Sequence, residues 1–253
     1  MTFISQDTQV FIQGAGRGIG LAFVEELLAN SQGKIHASYR SEESKNNLQA
    51  MQNSHNERLR IYHLDVTDEK SVRSCSDDLA KHTSELHLLV NCSGILHDSE
   101  MQPEKKLEDI NMDFVFKGFA VNTFSIMLMA KHFHRFFHHR SHAVWANISA
   151  RVGSIEDNRL GGWYTYRASK AAQNMITKNM ALEFKRIAKT TVCVALHPGT
   201  VATQLSEPFV RNSTKRTVFP PQKCAQQLLD VIYGLTLEDS AKFFAWDGSA
   251  ILW

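Results

Sequence analysis

The chain has 253 residues, 43% hydrophobic and 21% charged, enough apolar material for one sizeable α/β core. A net charge of +2 argues against a nucleic-acid partner. The cysteines, Cys75, Cys92, Cys193 and Cys224, lack metal or redox spacing and predict reduced thiols of a cytoplasmic protein; Met1 to Gln9 lacks a leader pattern, and no run reaches the roughly 18 apolar residues of a membrane span, so no membrane partner is expected.

Gln9-Val10-Phe11-Ile12 predicts a buried strand. It runs into Gly14-Ala15-Gly16-Arg17-Gly18-Ile19-Gly20, then into an amphipathic helix from Leu21. Strand, glycine turn and helix form the setting of a dinucleotide site: glycines let the backbone approach a pyrophosphate, and the helix N-terminus favours its charge. Gly14, Gly16, Arg17, Gly18, Ile19 and Gly20 are therefore candidate cofactor contacts. A second strand, Lys34 to Tyr39, ends at Arg40. A carboxylate there would suit the ribose of NAD, and a basic group suits the extra phosphate of NADP. Arg40 with Arg17, helped by Ser38 and Ser41, points to NADP(H) rather than NAD(H). Glu42 and Glu43 come later and read as the first turn of the next helix.

Leu59 to Leu64 alternates like a strand and ends at Asp65-Val66, with Asp68 as the cap of a helix from Glu69 to Lys81. Leu86 to Val90 is a buried strand entering Asn91-Cys92-Ser93-Gly94. A long helix follows from Asn111 to Arg140, and Asn122 sits inside it with no local reason to be there. Histidines crowd its end. His134 and His138 have the spacing of metal ligands but no accompanying carboxylate, so this reads as a solvated helix end and no metal is expected. Ala143 to Ile148 is the next strand, followed by Ser149-Ala150-Arg151-Val152-Gly153-Ser154.

Tyr164-Thr165-Tyr166-Arg167-Ala168-Ser169-Lys170 opens another long helix. Residues four apart share a helix face, so Tyr166 and Lys170 stand together, while Tyr164 lies off that face as packing or pocket wall. An ammonium beside a phenol favours the phenolate and makes Tyr166 a candidate acid or base for a carbonyl or hydroxyl oxygen. Thr191 to Leu196 is a strand ending in His197-Pro198-Gly199-Thr200-Val201-Ala202-Thr203. The stretch 204–219 is polar and aperiodic, as suits a mobile lid. A helix over 221–233, a strand over 242–246 and a tail folded back or used in assembly complete the chain.

These motifs, in this order, resemble the short-chain dehydrogenase/reductase family, whose glycine motif is Thr-Gly-x-x-x-Gly-x-Gly; here Gln13 replaces the Thr. The words Gly-Ser-Ile and Tyr-x-Tyr-Arg-x-Ser-Lys, and the long link between them, are similar to the C-factor-like and carbonyl-reductase branch. The resemblance implies a single α/β domain over 1–253, a Rossmann-type doubly wound parallel sheet with helices on both faces. It sets Asp65 and Val66 against the adenine. Asn91, Ser93 and Gly94, where the family has Asn-Asn-Ala-Gly, would stabilise the sheet and line the adenosine ribose. Pro198, Gly199, Val201 and Thr203 would reach the nicotinamide carboxamide or the pyrophosphate. Tyr166 would be the general acid/base, Lys170 would hold the nicotinamide ribose, and Asn122 would hold a water of the proton relay. Leu160 and Trp163 are candidate pocket walls.

The family's catalytic serine falls on Ala150. Ser149, one residue early, would point to the other face of a regular strand unless the strand end twists. It is nonetheless the candidate, with Ser154 in reserve and water or Asn122 as a third substitute. The implied function is hydride transfer between NADPH and a small carbonyl or alcohol substrate. The alternative is an NADP-binding regulatory or signalling protein of the same fold without turnover. A homodimer or homotetramer through the helices at 111–140 and 164–188 is left open.

Overall fold

The computed structural model describes residues 5–210 and 217–253. Its centre is a seven-stranded sheet built from β1 (Gln9–Gln13), β2 (Lys34–Tyr39), β3 (Leu59–His63), β4 (Leu88–Asn91), β5 (Ala143–Ile148), β6 (Thr191–His197) and, after two short strands numbered below, β9 (Phe243–Ala245). The spatial order is β3-β2-β1-β4-β5-β6-β9, and every pairing is parallel. Parallel strands need crossovers. Helices α1 (Gly18–Asn30), α2 (Glu42–Ser54), α3 (Glu69–Ala80), α4 (Met112–Phe119), α5 (Ser125–Phe133) and α6 (Tyr164–Ile187) supply them.

The strands read as apolar runs because both faces of the sheet are covered. Alternate β1 residues divide between two cores. Val10 and Ile12 join Phe23 and Leu27 of α1 on one face, while Phe11 joins Phe133, Trp145 and Phe184 on the other. Local chemistry starts the helices. Ser41 caps α2 by accepting from the N–H of Ser44, Asp68 caps α3 by accepting from Lys70, and Asn111 caps α4.

Two elements differ from the sequence expectation. The helix expected over Asn111 to Arg140 is interrupted by a π segment, Ala120–Phe124, between α4 and α5. The helical run Met112–Phe137 is also long and apolar enough, by length and composition, to cross a membrane, where the sequence was read as holding no such run. Its inner side carries Ile126, Met129 and Phe133 into the core. The end of the chain folds back: Ile251 N–H donates to the Phe243 carbonyl, and Trp253 stacks on Phe243 with ring centres 5.7 Å apart.

The region expected as a lid follows β7 (Thr200–Val201) and contains the short helix α7 (Glu207–Val210) and β8 (Val218–Phe219), which pairs with β7; the part of that expectation falling on 211–216 lies outside the described residues. Helix α8 (Pro221–Gly234), with Pro at its first position, packs its buried Leu228 and Ile232 into the same core as α1.

Trp145 is fully buried, 5.1 Å from Phe137 and 5.8 Å from Phe184 by ring centres, and its indole N–H donates to Asn147 at 3.1 Å. Trp145→Ala should destabilise the protein by about 3–5 kcal/mol, seen as a lower urea midpoint.

Candidate active site

The strand order reverses between β1 and β4, and in doubly wound sheets the ligand crevice lies outside the carboxyl ends of the strands at such a point. A cleft of about 1020 Å³ opens there. Its floor is the glycine turn. Gly14 (φ 73°) and Gly18 (φ 55°) have left-handed backbones that side chains rarely adopt. Gly16, Arg17, Ile19 and Gly20 line the same cleft. Arg17 is the N-cap residue of α1 but its side chain caps nothing, and the first turn of that helix holds no acid. An uncapped helix start facing a cleft suits a phosphate anion.

Gln13, which stands where the family has Thr, braces this turn in a different way. Its amide N–H bonds to the Ser93 hydroxyl, and its amide oxygen accepts the Ser93 N–H at 3.1 Å. The two departures from the motif, at 13 and 93, thus form one interaction between the loops after β1 and β4.

At the far side of the cleft, Arg40, Ser41 and Ser44 line the wall at the end of β2. Glu43 lines it too, from the first turn of α2. Ser38 also lines the cleft; it is 1% exposed, and its hydroxyl oxygen accepts the Gly14 N–H at 3.0 Å. Leu64 and Val66 line the cleft just beyond β3. One oxygen of the Asp65 carboxylate accepts the N–H of Thr67 at 2.9 Å and its hydroxyl at 2.7 Å. Burial works to raise the Asp65 pKa, but the Thr67 bonds and the Arg40 charge prevail and hold it low.

Asn91 is buried and donates to Asn147 at 2.7 Å, which ties β4 to β5; its own amide oxygen has no partner among the described residues. Ser93 and Gly94 reach the cleft. Among the residues after β6, Thr203 lines it. Gly199 (φ 76°) is crowded by Trp246 and Phe219, and the Val201 carbonyl accepts the Ser206 hydroxyl. The Pro198 carbonyl is met by the Cys224 thiol at 3.5 Å.

Lys170 and Asn122 come together beside Gly94, with the Tyr166 ring on the Lys170 side. A Cβ at Gly94 would stand 3.6 Å from the Asn122 amide oxygen and 3.7 Å from Lys170 Nζ. Asn122 is buried within the π segment. Its amide oxygen accepts the Ile95 N–H at 2.8 Å, and its NH₂ donates to the Ile95 carbonyl at 2.9 Å and to Ser169 of α6 at 3.0 Å.

Lys170 Nζ donates to the Ile148 carbonyl at 3.0 Å and to Gln173 at 2.8 Å, and lies 5.9 Å from the centre of the Tyr166 ring. Burial lowers the Lys170 pKa to about 7 and pushes the Tyr166 phenol up. The sequence reading had the ammonium lowering the phenol. Burial, rather than the pairing of the two groups, sets the direction at both.

Ser149 is not brought to this cluster. It is 2% exposed, and its hydroxyl donates to Asn174 of α6 at 2.6 Å. Ala150 is extended (φ −146°, ψ 142°), so strand alternation persists to the end of β5 and no twist rescues the one-residue shift. Ser154 is buried and accepts the Asp157 N–H at 3.2 Å.

The Trp163 ring sits edge-on to Tyr166 at 6.2 Å and against Phe209 of α7 at 5.0 Å, and Leu160 is 82% exposed. Sequence reasoning missed His97, which bonds the Gln204 and Leu205 carbonyls at 3.1 Å each and packs on Phe209, and it missed the Lys117–Asp98 ion pair at 2.5 Å. Neither belongs to a motif, so only the fold brings them to the cleft.

His134 bonds the Ala130 and Lys131 carbonyls, and its ring stands edge-on to His138 at 5.3 Å. Glu85, His87 and His139 bring ligand atoms within 4.8 Å of one another. The Gln9 N–H donates to Nδ1 of His87 at 3.2 Å, so the other nitrogen of that neutral ring carries the proton and offers an ion no lone pair.

The family model described as short chain dehydrogenase matches residues 8–214. An uncharacterised oxidoreductase of Schizosaccharomyces pombe is 27% identical over 251 residues, covering 95% of this chain and 96% of that one. The C-signal protein of Myxococcus xanthus is 35% identical over 108 residues, 43% of this chain and 60% of that one. Among solved structures, an NADPH-bound carbonyl reductase from chicken fatty liver superposes with a TM-score of 0.87 at 28% identity, covering 99% of this chain and 95% of that one. The carbonyl reductase Sniffer of Drosophila melanogaster, at 22% identity and a TM-score of 0.84, shares the fold.

Burial of Lys170 has a sign that can be checked. A lysine whose folded pKa lies near 7 rather than 10.5 leaves the unfolded chain binding more protons between those values, so its penalty on stability fades as pH rises through that window. Above about pH 10 the raised Tyr166 pKa works the other way and closes the window. Lys170→Met should therefore be most stabilising relative to wild type near pH 7, with the difference shrinking toward pH 10 in ligand-free urea denaturation.

Proposed function

The chain belongs to the short chain dehydrogenase family and is an oxidoreductase, and we propose that it is an NADPH-dependent carbonyl reductase, able to run in reverse as an alcohol dehydrogenase, with Tyr166 as the proton donor. The observation that carries this reading is the convergence of Lys170 Nζ and the Asn122 amide on Gly94, at the edge of the glycine-lined cleft and one helical turn from Tyr166.

The cleft fits a dinucleotide. The uncapped start of α1 and Gly14, Gly16 and Gly18 would take the pyrophosphate, while Arg17 and Arg40 would take a ribose phosphate. Two guanidinium groups outweigh the single Glu43 carboxylate at that end, which supports NADP(H) over NAD(H). A nicotinamide held in this cleft would supply the hydride that reduces a substrate carbonyl carbon. As charge builds on the substrate oxygen, Tyr166 gives it the phenolic proton. The phenolate left behind would be stabilised by the Lys170 ammonium beside it and would regain its proton from solvent. Asn122, fixed to Ile95 and Ser169, holds the helix carrying this pair against the loop after β4. With a methyl group at 150 and Ser149 turned into the core, Tyr166 is the hydroxyl assigned to the substrate oxygen.

The regulator reading is not favoured: the family match and the intact Tyr166–Lys170 pair support turnover. For assembly, Phe116, Met127, Met175 and Leu182, each more than half exposed on α4, α5 and α6, support pairing with a second copy.

Tyr166→Phe should cut NADPH oxidation by roughly a hundredfold or more across a panel of aldehydes, ketones and quinones, with NADPH affinity within threefold of wild type. Full turnover in that variant would refute the role. Arg17→Ala with Arg40→Ala should raise the KM for NADPH by about tenfold or more and leave that for NADH little changed, read in steady-state kinetics.

A further inference from the structure

We propose that Glu104, on the loop between β4 and α4, is the positioning residue that sets Tyr166 in place. Helix α6 begins at Tyr164 without a cap of its own. Trp163 has a left-handed backbone (φ 50°, ψ 46°), and its side chain caps nothing. The first N–H groups of a helix need partners, and these come from 61 residues upstream. One carboxylate oxygen of Glu104 accepts the Thr165 N–H at 3.2 Å, and the other accepts the Thr165 hydroxyl. The Glu104 main-chain carbonyl accepts the Trp163 N–H at 2.5 Å.

Glu104 is 4% exposed, and no cation is paired with it among the described residues. Its charge rests on the positive end of α6 and on the Thr165 bonds. Burying an unpaired carboxylate is costly, and a Ser or Asp at the cap position would start a helix without that cost. What Glu104 adds is reach. It holds the residue immediately before Tyr166, and through Trp163 it also holds the ring that stands edge-on to the phenol. Thr165 in turn packs on Gly118 of α4, where a Cβ would fall 2.5 Å from its methyl group. Glu104 thereby fixes the direction of Tyr166 relative to Asn122 and Gly94.

This inference rests on Tyr166 being the proton donor. Misplacing a reacting group by about 1 Å can cost on the order of a hundredfold in rate. Glu104→Ala should lower kcat roughly 10- to 100-fold with NADPH affinity within threefold of wild type, and Glu104→Gln, which keeps an acceptor for the Thr165 N–H, should recover kcat to within about threefold. If Glu104→Ala keeps kcat within twofold, or loses NADPH affinity as far as kcat with no recovery in Glu104→Gln, the proposal is overturned.

Should Glu104→Ala fail to fold, Thr165→Val removes only the hydroxyl that Glu104 accepts, and the same two criteria apply, with Thr165→Ser as the recovering variant. Hydrogen exchange separates this proposal from the reductase reading. If wild type turns over no substrate in the panel, the proton-donor role fails by itself. The clamp is then supported by amides of 164–168 exchanging about tenfold faster in Glu104→Ala, or in Thr165→Val where the former does not fold, and overturned by unchanged exchange.

Discussion

The site depends on an amine that has been taken out of water without a carboxylate to meet it. Lys170 is 2% exposed, and its hydrogen bonds run to the Ile148 carbonyl and to Gln173. Ile148 is the last residue of β5, and Lys170 and Gln173 lie on α6, so the bonds that satisfy the amine also pin the helix to the sheet. Close packing at the same place enforces this. A Cβ on Gly153 would fall 2.8 Å from the Cβ of Lys170, so the loop after β5 can approach α6 only because that residue is glycine. Burial lowers the Lys170 pKa and raises that of the Tyr166 phenol beside it, so each group's charged form gains from the other's opposite charge.

The cleft is assembled from loops at the carboxyl ends of the strands, and contacts between loops distant in sequence fix their spacing. Gln13 and Ser93 join the loops after β1 and β4. Arg17 donates to Gln204 at 2.5 Å, and His97 bonds the carbonyls of Gln204 and Leu205, so both sides of the cleft hold the start of the segment that follows β7. His197 accepts the Arg151 N–H at 3.3 Å and, lowered to about 4 by burial and by the Arg151 charge, stays neutral in tying the end of β6 to the loop after β5.

Much of this could be read from the sequence, for physical reasons. Strands β1, β2 and β5 are apolar runs of the right length bounded by turn residues, and their expected and observed limits agree within a residue or so. The Tyr166–Lys170 pair follows from helical geometry once α6 is recognised. The π segment was not legible, because one extra residue in a helix leaves the apolar period almost unchanged. Nor was the direction of the pKa shifts at Tyr166 and Lys170. Their spacing gives a pair of charges, but only the fold says how far both are removed from solvent. Ser149 shows the opposite case: the alternation rule warned of the wrong face, and the backbone at Ala150 obeys the rule. Glu104 and His97 belong to no motif, and only tertiary structure brings them to the site.

A crystal structure of the protein with NADP⁺ and an alcohol product would test the central claim most directly. The account predicts the Tyr166 hydroxyl within hydrogen-bond reach of the substrate oxygen, about 2.6–3.2 Å, with Lys170 between the phenol and the cofactor ribose. A substrate oxygen bound instead by another group, with the Tyr166 hydroxyl turned away from it, would contradict the account.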